Sequence, residues 1–260
     1  MTFAPAVDLN SDLGESYGRW TLGDDAAMVE HITSANLACG FHAGDFEVID
    51  ATVRLCKQVG VGVGAQPSYP DLQGFGRRSM KLTPGELEQC VLYQIGALYG
   101  FCRAHGVELQ HVKPHGALYN DAAAQPAVAL PVARAVARFS RDLPLVALAG
   151  SPAFAEAAAE TGLRLVPEAF ADRRYTPEGR LQSRSEAGSL LTDPEEAADQ
   201  ALKLVCQGQV RAHDGTLVEV HATSICFHGD TPGAPAIVAA ARARLEAAGV
   251  AVRPIRDLPA

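Results

Sequence analysis

At 260 residues, 48% of them hydrophobic and 20% charged, the chain suits one large α/β domain or two small ones, with ample length to bury a core. Its net charge of −8 comes with no basic stripe and no interleaved aromatic run, which excludes a nucleic-acid groove. No stretch approaches a membrane span and no secretory leader is expected; the 6 cysteines form no C-x-x-C pair, so free thiols in a reducing cytoplasm are expected.

In chain order, Ala6 to Asn10 reads as a strand running into Asp8-Leu9-Asn10-Ser11-Asp12-Leu13-Gly14-Glu15. A period of two puts Asp8 and Asn10 on one face; an Asx-turn with a helix cap is the bland alternative. A helix is expected from Asp24 to Thr33 and a strand from Ala35 to Cys39. Gly40-Phe41-His42-Ala43-Gly44-Asp45 follows, and its His42 and Asp45 can bind a metal or act as base and orienting acid. Asp45 also suits the cap of a helix from Phe46 to Val59.

Val61 to Ala65 reads as the third strand. Gly60, Gly62 and Gly64 alternate along it but lead into Gln66-Pro67 instead of a helix, so they are no dinucleotide fingerprint. Tyr69 to Met80 is a polar loop insertion carrying Arg77 and Arg78. Pro84 to His105 is a helix, with Thr83 and Glu86 as a capping box. The strand Leu109 to Lys113 ends in Lys113-Pro114-His115-Gly116, the sharpest cluster: an ammonium at a strand end, then an imidazole held by Pro and Gly.

Helices Pro126 to Ser140, Pro152 to Thr161, Pro194 to Gln207 and Ala234 to Ala248 alternate with strands Leu145 to Ala149, Leu163 to Pro167 and Ser224 to Phe227. After the sixth strand, Glu168 through Asp172, Arg173 and Arg174 offers two arginines, as an anion clamp or as solvated charge. Gln209 to His221 reads as a hairpin about Asp214-Gly215, and His228-Gly229-Asp230 closes the last strand. His31, His105, His111, His213 and His221 read as structural or surface residues.

This alternation predicts a parallel sheet with helices outside. Seven or eight strand–helix units favour a closed TIM-like (β/α) barrel, one domain over 1–260 with insertions near 69–80 and 209–221. The polar clusters at successive strand ends then share one site. No P-loop, H-E-x-x-H or G-x-S-x-G motif is present.

Taken together, DLNSDLGES, SANLACGFHAGD, GAQPSYPD, GFGRR, YQIGALYG, HVKPHGALYN, EAFADRRY and CFHGD resemble the LamB/YcsF family over almost the whole chain. The resemblance implies a TIM-like barrel of the glycoside hydrolase/deacetylase type, often seven-stranded. It further implies ATP-dependent hydrolysis of 5-oxo-L-proline to L-glutamate, with ATP handled by 5-oxoprolinase subunits B and C. Many members have His where this chain has Gln66, which keeps an amide but cannot serve as acid or base.

The expected chemistry is hydrolysis of a phosphorylated lactam made by those partners. The catalytic set expected is Asp8, Asn10, Asp12, His42, Asp45, Lys113, His115, His228 and Asp230; Glu15, Gln66, Arg77, Glu168, Asp172, Arg173 and Arg174 are expected to bind substrate. Two alternatives stand beside it. One is a metal-dependent, deacetylase-like carbohydrate hydrolase, marked by a divalent ion at Asp12, His42 and Asp45, or at His115. The other is a non-catalytic component that presents a small acid to its partner.

Overall fold

Seven short apolar-faced strands pair side by side, all parallel, until the last meets the first. The computed structural model describes residues 5–184 and 186–259. Its elements begin with β1 (Ala6–Leu13), α1 (Asp25–Met28), β2 (Ser34–Ala38), α2 (Phe46–Val59), β3 (Gly62–Gln66), α3 (Pro84–His105) and β4 (Leu109–Val112). Next come α4 (Gly116–Ala124), α5 (Pro126–Phe139), β5 (Leu145–Leu148), α6 (Pro152–Thr161), β6 (Leu165–Phe170) and α7 (Pro194–Gln207). The chain continues with β7 (Gln209–Arg211), β8 (Leu217–Glu219), β9 (Ser224–His228), α8 (Ala234–Ala247) and β10 (Ala251–Val252).

The ring runs β1-β2-β3-β4-β5-β6-β9 and closes where β9 pairs with β1, Asp8 opposite Ser224. This is the closed seven-stranded (β/α) barrel expected from the alternation. β10 adds to the lower part of β1, and β7 pairs antiparallel with β8 as the expected hairpin.

Alternation along the strands divides two environments. On β1, Val7, Leu9 and Leu13 join the hydrophobic core against the helices, while Asp8, Asn10 and Asp12 bond to groups of other strands. The barrel interior is therefore polar, and each buried polar group must be hydrogen-bonded to be tolerated. Gly62 and Gly64 belong to this interior: a Cβ at either would collide with the Gln110 amide or the His111 ring. A register shift between Val63 and Gly64 accompanies these two neighbours, and both Gln110 and His111 bond to β2 across it, Gln110 to Ser34 and His111 to Asn36.

Helix boundaries follow local chemistry. Asp45, Thr83, Ser151 and Asp193 cap α2, α3, α6 and α7, three of which begin with proline. Two expectations are corrected. The helix expected over 24–33 is the single turn α1, because Thr33 instead ties β2 to β1 through Leu9 N–H and Asp8. α4 was not expected: its N-cap, His115, makes no side-chain capping bond, so the sequence carries no start signal there.

Candidate active site

At the lower level of the interior, Asp8 is fully enclosed and accepts hydrogen bonds from Thr33 at 2.8 Å, Ser34 at 2.5 Å and Ser224. It lies below the mouth, fully buried and apart from the groups that line the cleft. Burial pushes its carboxyl up to about 6, against the opposing hydroxyl bonds. A carboxyl raised on folding gives stability that is full below its unfolded value and lost as pH rises through about 6. Between pH 4 and 8 the wild type should lose about 2 kcal/mol that Asp8→Asn does not lose. Urea unfolding of both proteins at the two pH values checks this, and parallel profiles would refute it.

One layer up, Lys113 is the hub. Its ammonium lies 2.9 Å from Glu168, 3.0 Å from Asp12, 3.2 Å from Asn10 Oδ1 and 3.0 Å from the Cys226 thiol. Asn36 donates to Asn10 at 2.7 Å and Asp12 at 2.9 Å, and its own carbonyl lies 2.7 Å from His111 Nε2. Tyr119 donates to the second oxygen of Glu168 at 2.8 Å. Burial pushes Asp12 up, but the Lys113 charge and the imidazoles of His115 and His228 outweigh it and hold the carboxyl well below its ordinary range. Burial pulls Lys113 down, but Asp12, Cys226 and Glu168 hold it well above. Lys113 is thus a fixed internal counter-ion that also lines the cleft.

Above this hub, Glu15, His42 and His115 present ligand atoms that all lie within 4.8 Å of one another. Glu15 Oε1 is 3.4 Å from His42 Nε2 and 3.4 Å from His115 Nδ1; the two imidazoles stack at 3.9 Å. Phe75 meets both rings edge-on, and its carbonyl sits 3.0 Å from His115 Nε2, which assigns the proton there and leaves the Nδ1 lone pair open. Phe75 reaches this position with φ 55, between glycines, and a Cβ on Gly76 would strike Ser68, His42 and His115. That close approach explains the Gly-Phe-Gly of the loop insertion.

Glu15 Oε1, both His42 nitrogens and His115 Nδ1 are buried without hydrogen-bond partners. Burial moves Glu15 up to about 8 and His42 down to about 3. Orphaned buried donors of this kind fit a divalent cation, for which a carboxylate and two imidazoles are suitable ligands. Asp12 Oδ2 stands 3.8 Å from His115 Nδ1, beside the cluster. Gln66 ends β3 next to His42, its amide otherwise unbonded.

On the opposite wall, Asp172 accepts from His228 N at 2.9 Å, His228 Nδ1 at 3.0 Å and Thr231 at 3.0 Å. This orients the imidazole, which stacks on Phe170, with Nε2 left for the cleft. Asp230 binds Arg77 at 2.5 Å and Arg184 at 3.0 Å, which, against the effect of burial, holds its carboxyl down at about 2. Arg173 is buried beside them. Asp12, Lys113, His115, His228, Arg77, Arg173 and Arg184 line one cleft of about 860 Å³.

Two expected site residues lie elsewhere. Asp45 caps α2, accepting from Glu47 and Val48, and binds Gly18, so the chain turns it away from its near neighbour His42. Arg174 pairs with Glu196 of α7 at the surface. Sequence reading missed Arg184, which sits in an unpatterned polar run, and His111 and Tyr119, which enter the interior through the register shift and through α4. The signal for His111 was its spacing of two from Lys113.

The LamB/YcsF family model matches residues 7–260. The 5-oxoprolinase A-subunit of Chloroflexus aggregans is 55% identical over 248 residues, 95% of this chain and 98% of its own. The 5-oxoprolinase A-subunit of Pyrococcus furiosus is 52% identical over 251 residues, 96% of this chain and 98% of its own. The crystal structure of a lactam utilization protein from Thermus thermophilus superposes with a TM-score of 0.91 at 51% identity, covering 96% of this chain and 100% of that one.

Proposed function

The chain belongs to the LamB/YcsF family, and from that footing we propose that it opens the lactam of 5-oxo-L-proline as one component of an ATP-dependent 5-oxoprolinase. An unactivated five-membered lactam resists water. The chain has no P-loop, so phosphorylation of the lactam oxygen at the expense of ATP falls to partner subunits B and C. Water then attacks the activated carbon and the ring C–N bond breaks to give an acyl phosphate, and a second water displaces phosphate from it to leave L-glutamate.

In this reading Asp12 takes the proton of the attacking water. Lys113 keeps it ionised through Oδ1, and its Oδ2 stands 3.8 Å from His115 Nδ1. His228, oriented by Asp172, gives a proton to the departing ring nitrogen. Arg77 and Arg173 offer positive charge to the substrate's anionic groups. Glu15, His42 and His115 would hold a divalent metal; such an ion supplies Lewis-acid polarisation of the attacked group. The observation that carries the proposal is the convergence of an ionised carboxylate and an oriented imidazole in one cleft with His115, the member of the orphaned three-donor cluster that lines it.

The test mixes the chain with its partner subunits, ATP and 5-oxo-L-proline and follows glutamate. Glutamate is expected only from the complete mixture; none from a well-folded, assembled complex would overturn the reading. The three-donor cluster also favours a second reading, ATP-independent deacetylation, which acetate release from an N-acetylated sugar by the chain alone would reveal. Metal loading is checked separately. About one equivalent of zinc or another divalent ion per chain is expected by elemental analysis, falling below roughly a tenth of that in His115→Ala with the far-UV spectrum preserved. Equal metal content in both proteins would remove the cluster as the holder.

A further inference from the structure

Three guanidinium groups line one cleft, and two of them meet on one carboxylate. Arg77 and Arg184 both bind Asp230, from the loop over the imidazoles and from the segment after β6 respectively. Arg173 lines the same cleft with its side chain buried, spends one amino group on the Gln182 carbonyl at 2.6 Å, and leaves Nε with no partner. Burial and the neighbouring Arg184 charge pull Arg173 down to about 10, so the arginines are near enough to weigh on one another. Asp172, a second close carboxylate, is committed to His228 and Thr231. Three positive charges against the carboxylates of Asp230 and Asp172 leave this wall of the cleft net positive, as an anion subsite requires.

We propose that Arg77, Arg173 and Arg184 form a subsite for a phosphoryl dianion, with Asp230 as the counter-ion that holds two of them in place. Planar guanidinium forks suit tetrahedral phosphate oxygens, and a partly buried setting strengthens each charge-assisted bond. This rests on the lactam reading only for the phosphate's origin, and Arg184 is the residue it adds.

The experiment is calorimetric titration of the full chain with inorganic phosphate, with 5-oxo-L-proline titrated separately. Phosphate should bind wild type at least about ten times more tightly than Arg184→Gln. Asp230→Asn, which removes one negative charge but keeps a carbonyl oxygen to accept from Arg77 and Arg184, should bind phosphate more tightly than wild type. A cluster that merely held the fold together would weaken in both variants, and that result overturns the proposal, as does phosphate binding no tighter than chloride. Acetyl phosphate and ADP, run as competitors, distinguish an acyl phosphate from a nucleotide as the source; displacement by either upholds the subsite. Glutamate formation without phosphate binding would sink this subsite alone. Phosphate binding without glutamate formation would sink the lactam reading and leave the subsite standing.

Discussion

Glutamate formation by the reconstituted complex should fall about 10³-fold when Asp12 becomes asparagine, the scale of a lost general base. The substitution is chosen because it changes little else. An asparagine side chain still offers its carbonyl oxygen to Asn36 and Lys113, the two partners that Asp12 Oδ1 has now. Lys113 keeps Glu168 as a counter-charge at 2.9 Å. What disappears is the carboxylate beside the His115 imidazole. The loss should sit in kcat, since Asp12 is assigned to the step after binding. Steady-state kinetics with ATP saturating separates the two constants. Activity within about tenfold of wild type would remove Asp12 as base and shift attention to His228.

Replacing Lys113 with methionine should cost the fold about 3–5 kcal/mol at pH 8, the usual result of stripping one partner from a buried ion pair. Methionine fills similar space but leaves Asp12 and Glu168 buried and facing each other's charge. The sign with pH follows from the wild-type pair. Asp12 is held below its ordinary value, so its contribution is present above about pH 4 and disappears as pH falls through its lowered folded value. Lys113 is held above its ordinary value, so its contribution persists through neutral pH and fades only in strong alkali. The variant has lost both, and protonating Asp12 relieves its remaining repulsion. Its deficit should therefore shrink from pH 8 to pH 5. Urea unfolding at both pH values measures it; a deficit under about 1 kcal/mol at pH 8 would mean that water or a rearranged neighbour replaces the ammonium.

The barrel was legible because its local signals agree with one another. Thr83-Pro84, Ser151-Pro152 and Asp193-Pro194 each pair a cap with a pre-set dihedral, and glycines 60, 106, 162 and 208 end four helices in the left-handed region. Parallel strands between such helices have few ways to close. Depth was not legible. Period two correctly placed Asp8, Asn10 and Asp12 on one face, yet it cannot say that Asp8 lies two layers beneath the mouth. Sequence adjacency misled for Asp45, which turns into the start of α2 and away from His42. Pairings such as Lys113 with Glu168, or Asp172 with His228, join residues 55 and 56 apart, and only closure of the ring brings them together. Arg184 had no pattern to mark it, because its meaning comes wholly from Asp230 across the cleft.

The β7–β8 hairpin contributes no group to the cleft, yet it sets one of its walls. The backbone N–H of His213 holds the Tyr175 carbonyl at 2.9 Å, Tyr175 pairs with both Leu181 and Ala212, and Val218 would crowd any side chain at Gly179. The stretch so braced carries Glu178, Arg180 and Leu181 into the cleft lining. A lengthened or shortened hairpin would thus re-tailor which substrates fit while leaving Asp12, His115 and His228 where they are. Selectivity in this scaffold can drift by insertion and deletion at a distance, a route open to evolution and to protein engineers that leaves the reacting groups untouched.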